Sequence, residues 1–193
     1  PRSTLSSSSA ASDVYKRQSQ DAVRAGLQRT QSITDVALAA GDSVTSALEE
    51  MKSLAVNIAS STGSAQTAYL ADYNALGLEV ASAISGATFD GVNSLTALGS
   101  NAAITAVNTG SVTAANATAA NVDAAISATT SALATLGTQS KSLGRQITFV
   151  NKLQDALEAG VGNLVDADLA KESAKLTALQ TKQQLGVQAL SIA

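Results

Sequence analysis

An apolar side chain returns at every seventh position through residues 136–164, as Leu136, Leu143, Val150, Leu157 and Leu164, with Leu133, Ile147, Leu153 and Val161 between them. That recurrence predicts one apolar stripe along a long helix. Lys141, Arg145, Asn151, Lys152, Asp155 and Glu158 fall opposite it, so the helix keeps a wet face and requires partner helices.

The composition says what kind of partners. Hydrophobic residues make up 45% of the 193, yet aromatics only 3%, and Trp is absent. Alanine-rich faces pack helices closely without filling a thick interior, which favours an elongated antiparallel helical bundle or coiled coil over a globule. The formal net charge of -3 offers no basic field for phosphates, so nucleic acid is not an expected partner. The chain has neither Cys nor His, which removes disulfides, thiol nucleophiles, the usual zinc ligands and imidazole acid/base chemistry. No apolar run approaches membrane-spanning length, and no secretory signal pattern is visible.

In chain order, the Ser-rich residues 1–18 lack an apolar period and read as a disordered or foreign tail. Residues 19–60 predict a second long helix. Val23, Thr30, Ala37, Val44, Met51 and Ile58 take one seam position and Ile33, Ala40, Ala47 and Leu54 the other, while Leu27, Leu48 and Ala55 widen the seam. Gly26 and Gly41 each cost about 1 kcal/mol of helix propensity against Ala, which close backbone approach would explain. Ser60, Ser61, Thr62 and Gly63 predict a turn.

A shorter helix follows over residues 65–84, carrying Tyr69, Leu70, Tyr73, Leu76, Leu78, Val80 and Ile84 and folding back along its predecessor. Residues 88–95 place an Asp-Gly turn signal between β-favouring residues, the pattern of a small β-hairpin. Residues 99–121 hold no bulky core set and predict a short surface connection with room for another hairpin. Helical periodicity resumes near Asn121 and is expected to break at residues 165–168, where Asp166 or Asp168 caps a separate helix carrying Leu169, Leu176, Leu179, Leu185 and Leu190.

Chemistry is sparse. Gly160-Val161-Gly162 is a fragment of a phosphate loop without its strand or third Gly, and capping explains Asp166 and Asp168 better than a catalytic pair. Glu49, Glu50 and Lys52 read as a solvated helix face. No catalytic residue, cofactor or metal site is expected.

Three segments resemble bacterial flagellin, in the family's order. NLVDADLAKESAKL at 163–176 with QQLGVQALSIA at 183–193 is similar to its carboxy-terminal segment, ALEEMKSLAVNIA at 47–59 to its first long helix, and TFDGV at 88–92 to its hairpin motif. The likeness covers residues 19–193. Residues 1–18 bear no likeness to the family's amino-terminal segment, the end lacks a short polar tail, and residues 99–121 leave no room for large outer domains. The resemblance therefore implies a compact flagellin whose amino-terminal segment is missing or replaced, with domains at 1–18 (unrelated tail), 19–164 (the helical core, its hairpin and connection at 88–120) and 165–193 (an incomplete carboxy-terminal helix).

The resemblance implies a structural subunit of the flagellar filament, extracellular, exported unfolded and polymerised at the tip. Other flagellin subunits, the export machinery and the cap would be its partners. A hook-filament junction protein is the nearest alternative, and a cytoplasmic signalling coiled coil a more distant one that leaves the Asp-Gly hairpin unexplained. Ala37, Val44, Met51 and Ile58 are expected to face the stripe from Leu136 to Leu164. Leu169, Leu176, Leu179, Leu185 and Leu190 are expected to stay exposed as a polymer interface. In the family a host Toll-like receptor reads the helix segment matching residues 48–56. Here Glu50 and Lys52 replace two arginines of many activating flagellins while Leu54 keeps the core pattern, which implies a failed contact unless these charges face only solvent.

Overall fold

The computed structural model describes the backbone of residues 3–192 and the side chains within that range except at 3–11, 13, 14, 164, 165, 168 and 188–192. The element order is α1 (Ser3–Ser60), α2 (Gly63–Gly86), β1 (Thr88–Phe89), β2 (Val92–Asn93), α3 (Thr96–Gly99), α4 (Ala102–Thr105) and α5 (Ala119–Ile192). Two compact units divide the chain. Residues 26–147 form one, and the residues before 26 with those from 148 onward form the other. No helix is long and apolar enough to cross a membrane among the described residues.

In the 26–147 unit, α1 and α5 run antiparallel. Ser140 donates to Asp35 at 3.4 Å, Leu133 fills the space beside Gly41, and Lys52 pairs with Asp123 at 2.6 Å, so each advance along α1 meets a retreat along α5. The α1–α2 turn leaves Ser61 and Thr62 as the link, and the left-handed φ of Gly63, +68°, swings the chain round. Gln66 donates to the Ile58 carbonyl at 3.0 Å, which satisfies an acceptor that the end of α1 leaves open. α2 then returns along α1, because the hairpin that follows it reaches Arg29. Tyr73, Gly77, Val80 and Ile84 recur at helical spacing and form its buried face.

The hairpin pairs Thr88 with Asn93 and Phe89 with Val92. Its turn residues Asp90 and Gly91 both have positive φ, 52° and 76°, the geometry that matches the natural strand twist. Asn93 anchors it by donating to the Ile84 carbonyl at 2.7 Å while accepting from the Leu95 amide at 2.7 Å.

Residues 99–118 differ from the expected surface connection. They contain no strand, and Ile104, Val107, Val112 and Ala117 are buried with Leu95 and Leu98 in the same core as α1 and α2. Asn74 on α2 holds this segment by its side-chain amide, which donates to the Val112 carbonyl at 3.1 Å and accepts the Val112 N–H at 2.7 Å. The side chain completes what a neighbouring strand would otherwise supply. A third layer thus lies on the helices, and the steps from Ile104 to Val107, Val112 and Ala117 sustain neither a helical nor a strand period that would mark them as core.

In the other unit, Arg17 pairs with Glu158 at 3.2 Å, while Gln154 accepts from Arg24 at 3.2 Å and donates to Asp21 at 2.8 Å. These too run antiparallel. Val150 is buried and Leu153, Leu157 and Val161 are half-buried.

Two helix limits differ from expectation. α1 is already helical at Ser3, because once a helix exists each added residue needs no new nucleus, and the segment after Pro1 contains neither Pro nor Gly. α5 continues through residues 165–168 without a break, so no separate helix begins at Leu169. A mid-helix Asp costs only about 0.5 kcal/mol, and no Gly or Pro stands there to stop the chain. Gly26 also departs from its proposed reason, since a Cβ there would meet nothing within 4 Å.

Candidate functional site

The α1 seam comes first. Ala37, Val44, Met51 and Ile58 are all at most 1% exposed, whereas Val23 is 48% exposed and Thr30 is also exposed. The antiparallel register decides what they can meet. With position 41 at Leu133 and position 52 at Asp123, Val44 and Met51 lie alongside the beginning of α5, where Val122, Ala125 and Thr129 are fully buried, and Ile58 lies level with the residues just before it. They do not lie along the Leu136 to Leu164 stripe as expected. Only Ala37, near the level of Leu136, does. The reason is the offset between the helices: the pairings of Asp35 with Ser140, Gly41 with Leu133 and Lys52 with Asp123 set Val44 and Met51 against the first turns of α5 rather than its middle.

Along the stripe, Leu136 and Val150 are buried and Leu143 and Leu157 half-buried, while the Leu164 side chain lies outside the described residues. Thr129 meets burial by donating its hydroxyl to the Ala125 carbonyl at 2.9 Å. Tyr73 has no such remedy. Its hydroxyl is buried without a hydrogen-bond partner, and burial pushes its pKa up to about 12.

Glu50 is exposed on α1, Leu54 is half-buried against the core, and Lys52 is engaged with Asp123. The segment thus has one charge toward solvent and one directed to α5. Exposed pairs of this kind contribute about 0–1 kcal/mol.

The end of α5 presents the opposite surface. Leu169, Leu176, Leu179 and Leu185 are 58–63% exposed and Val187 is 70% exposed, while Leu190 lies outside the described side chains. At about 3.6 residues per turn, Leu169, Leu176 and Val187 come round to nearly the same side with Leu179 beside them, but Leu185 points away. Val187 belongs to this face and was missed by a reading that followed leucines alone. Lys175 and Glu172 form an exposed pair at 3.3 Å between the apolar positions. Such a face does no bond chemistry. It can bury apolar area against another helix.

Comparison with known proteins decides the family. The model of the bacterial flagellin C-terminal helical region matches residues 119–193, which is α5 nearly end to end. Flagellin FljK of Caulobacter vibrioides is 45% identical over 201 aligned positions, covering 91% of this chain and 74% of the relative. Flagellin FljN of the same bacterium is 48% identical over the same shares. The chain belongs to the flagellin family. Flagellin A of Rhizobium meliloti is 61% identical over a shorter stretch, 33% of this chain and 16% of the relative. This flagellin is a structural subunit of the bacterial flagellar filament and not an enzyme. Its expected mainly α fold with a small hairpin is the fold observed.

Proposed function

We propose that this flagellin joins the filament through the exposed face of α5, with Leu169, Leu176, Leu179 and Val187 packing against helices of neighbouring subunits. The exposure of that face carries the reading: these side chains remain open to water while the 26–147 unit already buries its own apolar seam. Burial of a leucine side chain is worth about 1.5–3 kcal/mol, so several in one contact favour association strongly. Export as an unfolded chain and placement beneath a cap at the growing tip complete the reading. The absence of Cys suits passage without cross-linking.

The test substitutes Leu176→Asp together with Leu179→Asp and follows incorporation of the full chain onto flagellin filament seeds by sedimentation. Incorporation should be lost while the thermal melt of the monomer shifts little, because neither residue contributes to the folded core. Incorporation at the unsubstituted level would overturn the proposal.

A further inference from the structure

The hairpin turn carries a reactive dipeptide under restraint. Asp90 is the sole non-Gly residue with positive φ among the described residues, it precedes Gly91, and both are exposed. The Asp90 carboxylate is held by the Arg29 guanidinium through Nε, and Arg29 Nη2 also donates to the Asp90 backbone carbonyl at 3.5 Å. α1 therefore grips the tip of the hairpin at two atoms.

We propose that Asp90 is a site of spontaneous backbone isomerisation and that Arg29 governs its rate. In an Asp-Gly pair the amide nitrogen that follows has no side chain beside it to hinder approach to the carboxyl carbon. The Gly91 nitrogen attacks Cγ of the protonated Asp90 side chain. An N–Cγ bond forms, and one carboxyl oxygen departs as water with the amide proton and the acid proton. Water then opens the five-membered imide. Cleavage of the N–Cγ bond restores aspartate. Cleavage between the nitrogen and the α-carbonyl carbon leaves the chain running through Cγ, with a free α-carboxylate and a released proton. No oxidant or further reactant is involved.

Two features of the fold oppose the attack. The carboxyl carbon must leave Arg29 to approach Gly91, and the turn must abandon paired positive φ values that the Phe89–Val92 and Thr88–Asn93 pairing maintains. Once formed, the β-linked product lengthens the main chain by one methylene within a two-residue turn. That register cannot survive, so the hairpin and its anchorage on α1 are lost together.

The measurement is accumulation of isoaspartate at Asp90 in the full chain held at neutral pH and body temperature for weeks. It is read by enzymatic methylation of the free α-carboxylate and by fragment mass spectrometry. Arg29→Gln should isomerise about threefold faster than the unsubstituted protein, within the span that an exposed ion pair supports. Concentrated salt should accelerate the unsubstituted protein toward the variant's rate by screening the pair. In concentrated urea the two should react alike and faster than either does when folded. Circular dichroism confirms that Arg29→Gln keeps its helices, and Asp90→Glu, which would require a six-membered ring, should yield no product at this position. Equal rates for Arg29→Gln and the unsubstituted chain under folding conditions would overturn the proposal, as would a folded-state rate equal to that in urea.

Discussion

A Cβ built on Gly77 would lie 2.6 Å from the carbonyl oxygen of Val107, closer than real Cβ atoms come to other heavy atoms. The main chain at Val107 and Asn108 therefore rests directly on α2, and Gly77 admits it. Gly77→Ala should destabilise the protein by about 1–3 kcal/mol, the usual range for overpacking, despite alanine's better helix propensity. Gly137 provides the contrast, since a Cβ there meets nothing within 4 Å. Gly137→Ala should stabilise by about 0.5–1 kcal/mol. Urea denaturation of both variants checks the opposite signs.

Tyr73 sets a pH dependence. Its hydroxyl ionises near 10.0 in the unfolded chain and near 12 in the folded one because burial disfavours the phenolate. The neutral form is thus the one the fold accepts. Its contribution is fully present below pH 10.0 and is lost as pH rises toward 12, so the melting temperature should fall across that window. Tyr73→Phe should remove this portion of the alkaline decline.

The same substitution tests the unpaired hydroxyl at neutral pH. A buried polar group without a partner costs about 1–3 kcal/mol, so Tyr73→Phe should leave stability unchanged or raised. A clear loss in chemical denaturation would mean that the hydroxyl has a partner after all.

Asn74 supplies the partners of both the N–H and the carbonyl of Val112. Asn74→Ala should lower stability by about 1–3 kcal/mol through two unmet backbone groups. Amide exchange should quicken at Val112 before it does in α2. Uniform acceleration throughout the 26–147 unit would show instead that the clamp and the bundle open as one.

Exposure along the end of α5 makes a further prediction for the dilute monomer. Amide hydrogens over residues 169–187 should exchange far faster than those over 44–58, since an isolated helical stretch of that length is marginal in water. Protection should rise when the chain is incorporated into filaments. Strong protection in the monomer would mean that the segment is held within the chain itself.

Regular spacing made much of this flagellin legible from its residues alone. Heptad recurrence in α1 and α5 and the Asp90-Gly91 turn signal are local codes, because a helix places every seventh residue on one side and a primed turn requires positive φ wherever the chain goes next. The exposed α5 leucines were legible for the same reason, although Leu185 and Val187 exchange places once helical rotation is followed. Tertiary structure alone decided that Ile104, Val107 and Val112 are core, for their irregular spacing acquires meaning only when Asn74 clamps the segment and Gly77 leaves room for it. It also decided which turns of α5 lie level with Val44 and Met51. Periodicity states which face of a helix is apolar, but not how far one helix is displaced along another; that offset comes from contacts such as Gly41 with Leu133, between residues far apart in the chain.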